Sequence, residues 1–165
     1  MAQCNFGFHP FDINSHEIER VVTTTTREWL DRCVGKWTSR RRYIFNMKTM
    51  EPQNFVTNFE IKAMLGASWL VNWTGQTEGE MVLTLSDDCK TLRRSRDYFG
   101  EGAHDARIDV IDPDCIVLHT AYSGMKFREE IRFLANDTLR LRQTIGYDET
   151  TGEPRLVGQY YEVRI

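Results

Sequence analysis

The chain has little cysteine, little proline and no long apolar run, and each shortage removes a class of protein. Its four cysteines, Cys4, Cys33, Cys89 and Cys115, show no Cys-x-x-Cys and no zinc spacing. Neither a redox motif nor a metal centre is signalled, and reduced thiols in a reducing compartment are expected. No apolar run approaches the roughly 20 residues of a membrane span. The N-terminus lacks the basic and apolar regions of a signal peptide and does not resemble an Arg-rich transit peptide. A soluble, cytoplasmic protein with no membrane partner is the expectation. An excess of positive charge is also missing: the formal net charge of -3 argues against a nucleic-acid binder. There is no Gly-x-Ser-x-Gly elbow, no phosphate loop and no Cys-His pairing, and His9, His16, His104 and His119 lack metal-ligand spacing.

What is present supports a packed globule. At 165 residues the chain fits one domain, long enough to bury about two-thirds of its unfolded surface. Hydrophobic residues at 41% and aromatic residues at 12% supply a core. Sixteen of the 21 basic residues are Arg and five are Lys, a bias toward the planar fork that grips carboxylates and phosphates at two points.

Residues 1–24 read as a partly irregular N-terminal extension. Asn14 and Glu17 suggest a short helix carrying Ile18, Val21 and Val22, between His9-Pro10 and the threonine run 23–26. A second helix is signalled more strongly. Thr25 and Glu28 form a capping box, Trp29, Leu30 and Cys33 share a face, and Gly35 ends the helix.

From Trp37 onward the period is two. Trp37, Ser39, Arg41, Tyr43, Phe45 and Met47 share one face of the opening strand, so one guanidinium points into an aromatic enclosure. Such a group is either a buried, paired charge or a cation presented to an anionic ligand. Further strands are predicted at 55–63, 68–74, 81–85, 92–99, 106–111, 115–123, 126–134, 139–147 and 155–165, separated by turns such as Ser86-Asp87-Asp88 and Asp112-Pro113-Asp114. No link is long enough for a crossover helix, which excludes parallel βαβ architecture. The prediction is an all-β fold: an antiparallel up-and-down barrel of about ten strands after a short helix, residues 25–165 forming a single domain able to enclose one small ligand.

A helix followed by Gly35-x-Trp37 on the opening strand resembles the calycin superfamily, the lipocalin-like and fatty-acid-binding-protein-like barrels. A longer set is more specific: Gly35-x-Trp37-x-Ser39-x-Arg41 with Tyr43, Trp69-x-x-x-Trp73, Glu130, Leu139-Arg140-Leu141-Arg142-x-Thr144, and Tyr161-Glu162-x-Arg164. This set resembles the S-type (CpcS/CpeS) phycobiliprotein lyases over roughly residues 26–165. Two departures stand out. Tyr43-Ile44 occupies a place where histidines are often found, and about 25 residues precede the usual helical start.

The resemblance implies a chromophore lyase that attaches a linear tetrapyrrole, phycoerythrobilin or phycocyanobilin, through a thioether to a cysteine of an apo-phycobiliprotein subunit. The bilin is substrate, and no cofactor is required. Such a ligand is long, conjugated and apolar, with two propionates and a row of pyrrole nitrogens. It needs aromatic walls, cations and an N–H acceptor. On this reading Glu130 and Arg140 are catalytic, while Arg41, Trp69, Trp73, Arg142 and Thr144 bind the bilin.

The residues themselves leave alternatives. Trp69 and Trp73 also suit a plain core. Periodicity puts Glu130 on the face opposite Phe127, Glu129, Ile131 and Phe133, and sets Arg140, Arg142 and Thr144 against Leu139, Leu141 and Ile145. Either these polar faces meet water, or the strands curve so that they line the pocket; the resemblance favours the second. Asp97, Asp105 and Asp109 read as surface or loop carboxylates, the alternative being that one of them assists the bilin nitrogens. A non-catalytic carrier of bilin, haem or fatty acid uses the same barrel, with His104 or His119 as haem ligand. A filled barrel acting by protein contact is the blandest account. A homo-oligomer is compatible with all of these.

Overall fold

The computed structural model describes residues 26–45, 47–96 and 102–165. The expected N-terminal extension, the Thr25 half of the capping box and Asp97 lie outside them.

Helix α1 covers residues 26–32. Ten strands follow: β1 (Gly35–Ile44), β2 (Pro52–Ala63), β3 (Ser68–Thr74), β4 (Gly79–Leu85), β5 (Thr91–Arg94), β6 (His104–Asp112), β7 (Cys115–Tyr122), β8 (Met125–Leu134), β9 (Leu139–Asp148) and β10 (Pro154–Arg164). Each pairs antiparallel with its sequence neighbour, and β1 pairs with β10, so the meander closes into a barrel. Closure leaves no sheet edge unpaired. The turns are short, as antiparallel neighbours allow. Ser123 and Gly124 join β7 to β8 with φ of 52° and 71°, the left-handed pair a two-residue hairpin requires.

Alternation predicts the inner face well. Trp37, Ser39, Thr57, Phe59, Ile61, Trp69, Met81, Leu85 and Leu92 are buried at period two on their strands. Helix α1 closes one end. Trp29, Leu30 and Cys33 turn inward, Trp29 packing on Phe133 with ring centroids 5.0 Å apart. The helix is tied to the rim by polar contacts: Trp29 Nε1 donates to the Asp114 carbonyl at 3.2 Å, and the Trp69 indole donates to Asp31 at 3.0 Å. Arg32 forks onto Asp137 and Asp114.

Gly35 makes the join between helix and barrel. Its φ is 135°, and a Cβ there would lie 2.6 Å from Nη1 of Arg164. That guanidinium donates to the carbonyls of Arg32 and Val34 at 2.6 and 2.5 Å, satisfying acceptors that the helix end leaves open. It also stacks 4.3 Å from the ring centre of Trp37, which is fully buried.

Candidate functional site

Above the α1 plug lies a cavity of about 580 Å³, within the range of small-molecule sites. Its lining reaches Tyr43 and Phe45 at the end of β1, Thr77 between β3 and β4, Tyr122 and Met125 beside the β7–β8 turn, and Leu156 near the start of β10. All of these lie at the rim opposite the helix, where the mouth opens.

The wall has two characters. From β2, β3, β4 and β7 it is apolar, with Phe59, Ile61, Trp69, Val71, Trp73, Met81, Leu83, Ile116 and Leu118. From β1, β10 and β9 it is charged. Strand register explains this second wall, because inward residues directly opposite one another form rows across the sheet. Nearest the helix, Ser39, Glu162, Arg140 and Phe133 are successive partners. The next row is Arg41, Tyr160, Arg142 and Ile131, and the row nearest the mouth is Tyr43, Gly158, Thr144 and Glu129. The glycine leaves room for its neighbours: a Cβ at Gly158 would stand 3.0 Å from the Tyr160 hydroxyl and 3.1 Å from the Tyr43 ring.

Two buried ion-pair systems occupy these rows. Arg140 Nε donates to Glu162 Oε2 at 2.6 Å, and its Nη1 lies 3.1 Å from the Cys33 sulfur. Ser39 Oγ donates to the other Glu162 oxygen at 3.2 Å and accepts from Arg41 Nε at 3.1 Å. In the second system Glu129 is held from both sides. Arg142 bonds it from the adjoining strand, and Arg94 reaches it at 2.6 Å from β5, three strands round the ring. Tyr160 underlies the group, with Arg142 and Arg41 placed 5.0 and 5.5 Å from its ring centre.

The electrostatics follow from burial and pairing. Burial pushes the Glu129 carboxyl up, but Arg142 and Arg94 outweigh it and hold the group down at about 2. The Glu162 carboxyl is lowered in the same way: burial opposes, and Arg140 prevails. Burial also drives the Tyr160 hydroxyl well above its ordinary value and raises the Cys33 thiol. Both carboxylates are therefore ionised at neutral pH, Tyr160 and Cys33 neutral. Among the described lining residues, Arg41 forms no carboxylate ion pair; its hydrogen-bond partner is a hydroxyl.

Of the residues singled out from sequence, Arg41, Trp69, Trp73, Arg140, Arg142 and Thr144 all line the cavity. Glu130 does not. It lies on the outer face, pairs with Arg128 at 2.9 Å and is 37% exposed. The two neighbouring strands differ in phase. β8 keeps its apolar residues inward, carrying Glu129 in with Phe127, Ile131 and Phe133, whereas β9 turns Arg140, Arg142 and Thr144 inward and leaves Leu141 outside. The interior carboxylate of β8 is thus Glu129, which the resemblance did not single out, although its phase with three apolar neighbours marks it.

Arg94, Tyr160 and Glu162 are further lining residues that sequence reasoning left without a role. Arg94 shares a face with buried Leu92, and that is the signal it offered. His104 stacks near Tyr122 and His119 pairs with Asp109; neither lines the cavity, so the haem-ligand expectation finds no support there. Asp105 is exposed and Asp109 also bonds Arg107. Among the described residues no three His, Cys, Asp or Glu side chains are grouped to hold a metal ion, and no helix is long and apolar enough to cross a membrane.

Residues 44–165 match the family model described as CpeS-like protein. A putative chromophore lyase, CpcV, from a Picosynechococcus species is 26% identical over 166 residues, spanning 83% of this chain and 80% of the relative. Among solved structures, the S-type phycobiliprotein lyase CPES of Guillardia theta superposes with a TM-score of 0.65 at 20% identity, covering 93% of this chain and 98% of that one. A protein of unknown function from Nostoc punctiforme, of the DUF3598 family, superposes with a TM-score of 0.63 at 14% identity over 82% of this chain and 49% of its own length. At those identities the two structures establish the likeness of fold.

Proposed function

The chain belongs to the CpeS-like family, and from that membership and the make-up of the cavity we propose that it is a bilin lyase, binding a linear tetrapyrrole and attaching it by a thioether to a phycobiliprotein cysteine in the cytoplasm. The observation that carries this reading is Arg41, a cation lining the cavity whose hydrogen-bond partner among the described residues is a hydroxyl, in a lumen that Trp69 and Trp73 also line. A ligand that is apolar along its length and anionic at a few points suits that division. Arg41, Arg140 and Arg142 are offered to the propionates, the two tryptophans stack on the conjugated rings, and Thr144 supplies a hydroxyl near the mouth.

The carboxylate role expected for Glu130 passes to Glu129. With its carboxyl held at about 2, Glu129 is an acceptor for pyrrole N–H groups and a counter-charge that favours the protonated bilin. It is too weak a base at neutral pH to carry the proton itself. A bilin made cationic in this way has a more electrophilic ethylidene carbon on its A ring, which faces the mouth. The acceptor's sulfur adds to that carbon, a C–S bond replaces the π bond, and the proton of the thiol ends on the adjacent ring carbon. Nothing leaves. The chain's contribution is placement of the A ring, exclusion of competing additions and electrostatic support of the cation.

The test is incubation with phycoerythrobilin or phycocyanobilin and an apo-phycobiliprotein subunit. The expected result is a bound-bilin absorbance band, then a covalent fluorescent adduct forming faster than without the protein. Binding with no acceleration would leave a carrier, and absence of binding would leave neither.

A further inference from the structure

The outer surface of the charged wall carries a second feature. On β2, β1, β10 and β9 the outward residues Val56, Arg40, Tyr161 and Leu141 are successive cross-strand partners, with Arg42 and Gln159 paired in the next row toward the mouth. A shallow groove runs along them. Val56, Tyr161 and Leu141 are 55%, 47% and 39% exposed, apolar side chains in one row, with Arg40 between the first two, on a face where alternation ordinarily places polar side chains. Arg40 and Arg42 are exposed, and neither forms an ion pair among the described residues. Three carboxylates beside the face are already paired: Glu60 with Lys62, Glu130 with Arg128 and Asp112 with Arg132. One row further on, half-buried Ile44, Val157 and Ile145 continue the strip to the rim where Tyr43 and Phe45 mark the mouth.

A tyrosine and two arginines among aliphatic side chains is the composition of a protein-binding centre. Charge decides the partner. A second copy seated here by a two-fold axis would set Arg40 and Arg42 against the same arginines, with no free carboxylate on the face to answer them. An acidic partner answers them directly. Because the strip ends at the mouth, such a partner stands within reach of an emerging bilin. We propose that this face docks the protein that receives the bilin, through carboxylates flanking an apolar patch. The proposal rests on the lyase reading.

The experiment compares wild type with Arg40→Glu/Arg42→Glu and, separately, Tyr161→Ser in transfer to an apo-phycobiliprotein subunit, alongside bilin titration without the acceptor. All three positions are on the outer face, so cavity binding is the internal control. Expected are an acceptor KM raised at least tenfold in both variants, loss of the wild type's salt dependence in the charge-reversed one, and bilin affinity unchanged within twofold. An unchanged acceptor KM overturns the docking face while leaving the lyase standing. Weakened bilin binding in the variants overturns it as well, since the effect then lies in the cavity. A shift only in self-association, seen by sedimentation, assigns the face to a second copy and overturns the acceptor. A wild-type chain that binds bilin yet transfers none defeats the lyase reading and the docking face together.

Discussion

Within the cavity the arginines differ in what they hold, and their substitutions should differ accordingly. Arg41 is half-buried and donates to a hydroxyl, so Arg41→Ala removes a cation without stranding a buried carboxylate. Its expected effect is a bilin Kd weaker by about tenfold, the scale of one charge-assisted bond, with the urea midpoint nearly unmoved. Arg140 is different. Its partner Glu162 is fully buried, and Arg140→Ala leaves that charge uncompensated at a cost of about 3–5 kcal/mol. Lost activity in that variant therefore reads on folding unless a melt is measured beside it. The adjacent glutamates of β8 give the sharpest contrast. Glu130→Gln alters a half-exposed pair on the outer face, worth about 1 kcal/mol or less, and should leave bilin binding and transfer within twofold, whereas Glu129→Gln removes the counter-charge and should lower transfer at least tenfold. Equal losses in the two, measured as initial rates of adduct formation, would return the function to Glu130.

At the scale of elements, one residue sets how the helix meets the barrel. Gly35→Ala places a Cβ 2.6 Å from the Arg164 guanidinium at a φ of 135°, so the expected result is a lower Tm and a loss of about 2 kcal/mol, and in a double-mutant cycle with Arg164→Ala, which by itself removes the helix-end bonds, the two losses should sum to less than additive. The alternation that defines these strands was readable in the sequence, and so were the α1 plug and the closed meander, because each rests on local periodicity and turn chemistry. The phase of β8 and β9 was not. Both strands alternate apolar with charged residues, and period two states which residues share a face without stating which face is inside. On β8 burial of Phe127, Ile131 and Phe133 decides it and brings Glu129 in. On β9 the reverse holds, because Glu162 and Glu129 on the flanking strands meet Arg140 and Arg142, a pairing between segments that no local pattern contains. Resemblance pointed to the right phase on β9 and was one residue out on β8.

For the molecule as a whole, charges that equip the cavity also tie its stability to acidity. Arg94 reaches Glu129 across the lumen from β5, and Arg140 joins Glu162 between neighbouring strands, so the barrel wall is braced by ion pairs where a filled barrel would have aliphatic packing. The Glu129 carboxyl is held at about 2 in the folded state against an ordinary 4.5. A depressed folded value means the unfolded chain takes up the proton first, so this stabilisation is complete above about pH 4.5 and is lost as pH falls toward 2, at a scale on the order of 3 kcal/mol. Glu162, lowered by Arg140, adds a contribution of the same sign. Urea midpoints should accordingly be level between pH 7 and 5 and fall steeply below 4.5. In Glu129→Gln the midpoint should start lower, because two guanidinium groups lose their shared carboxylate, and then decline less steeply with acid. A decline parallel to wild type would show that the acid sensitivity comes from elsewhere in the chain. Bound bilin should raise every midpoint by the usual mass action and, by placing propionates beside the same arginines, raise it most where both ligand and wall are ionised.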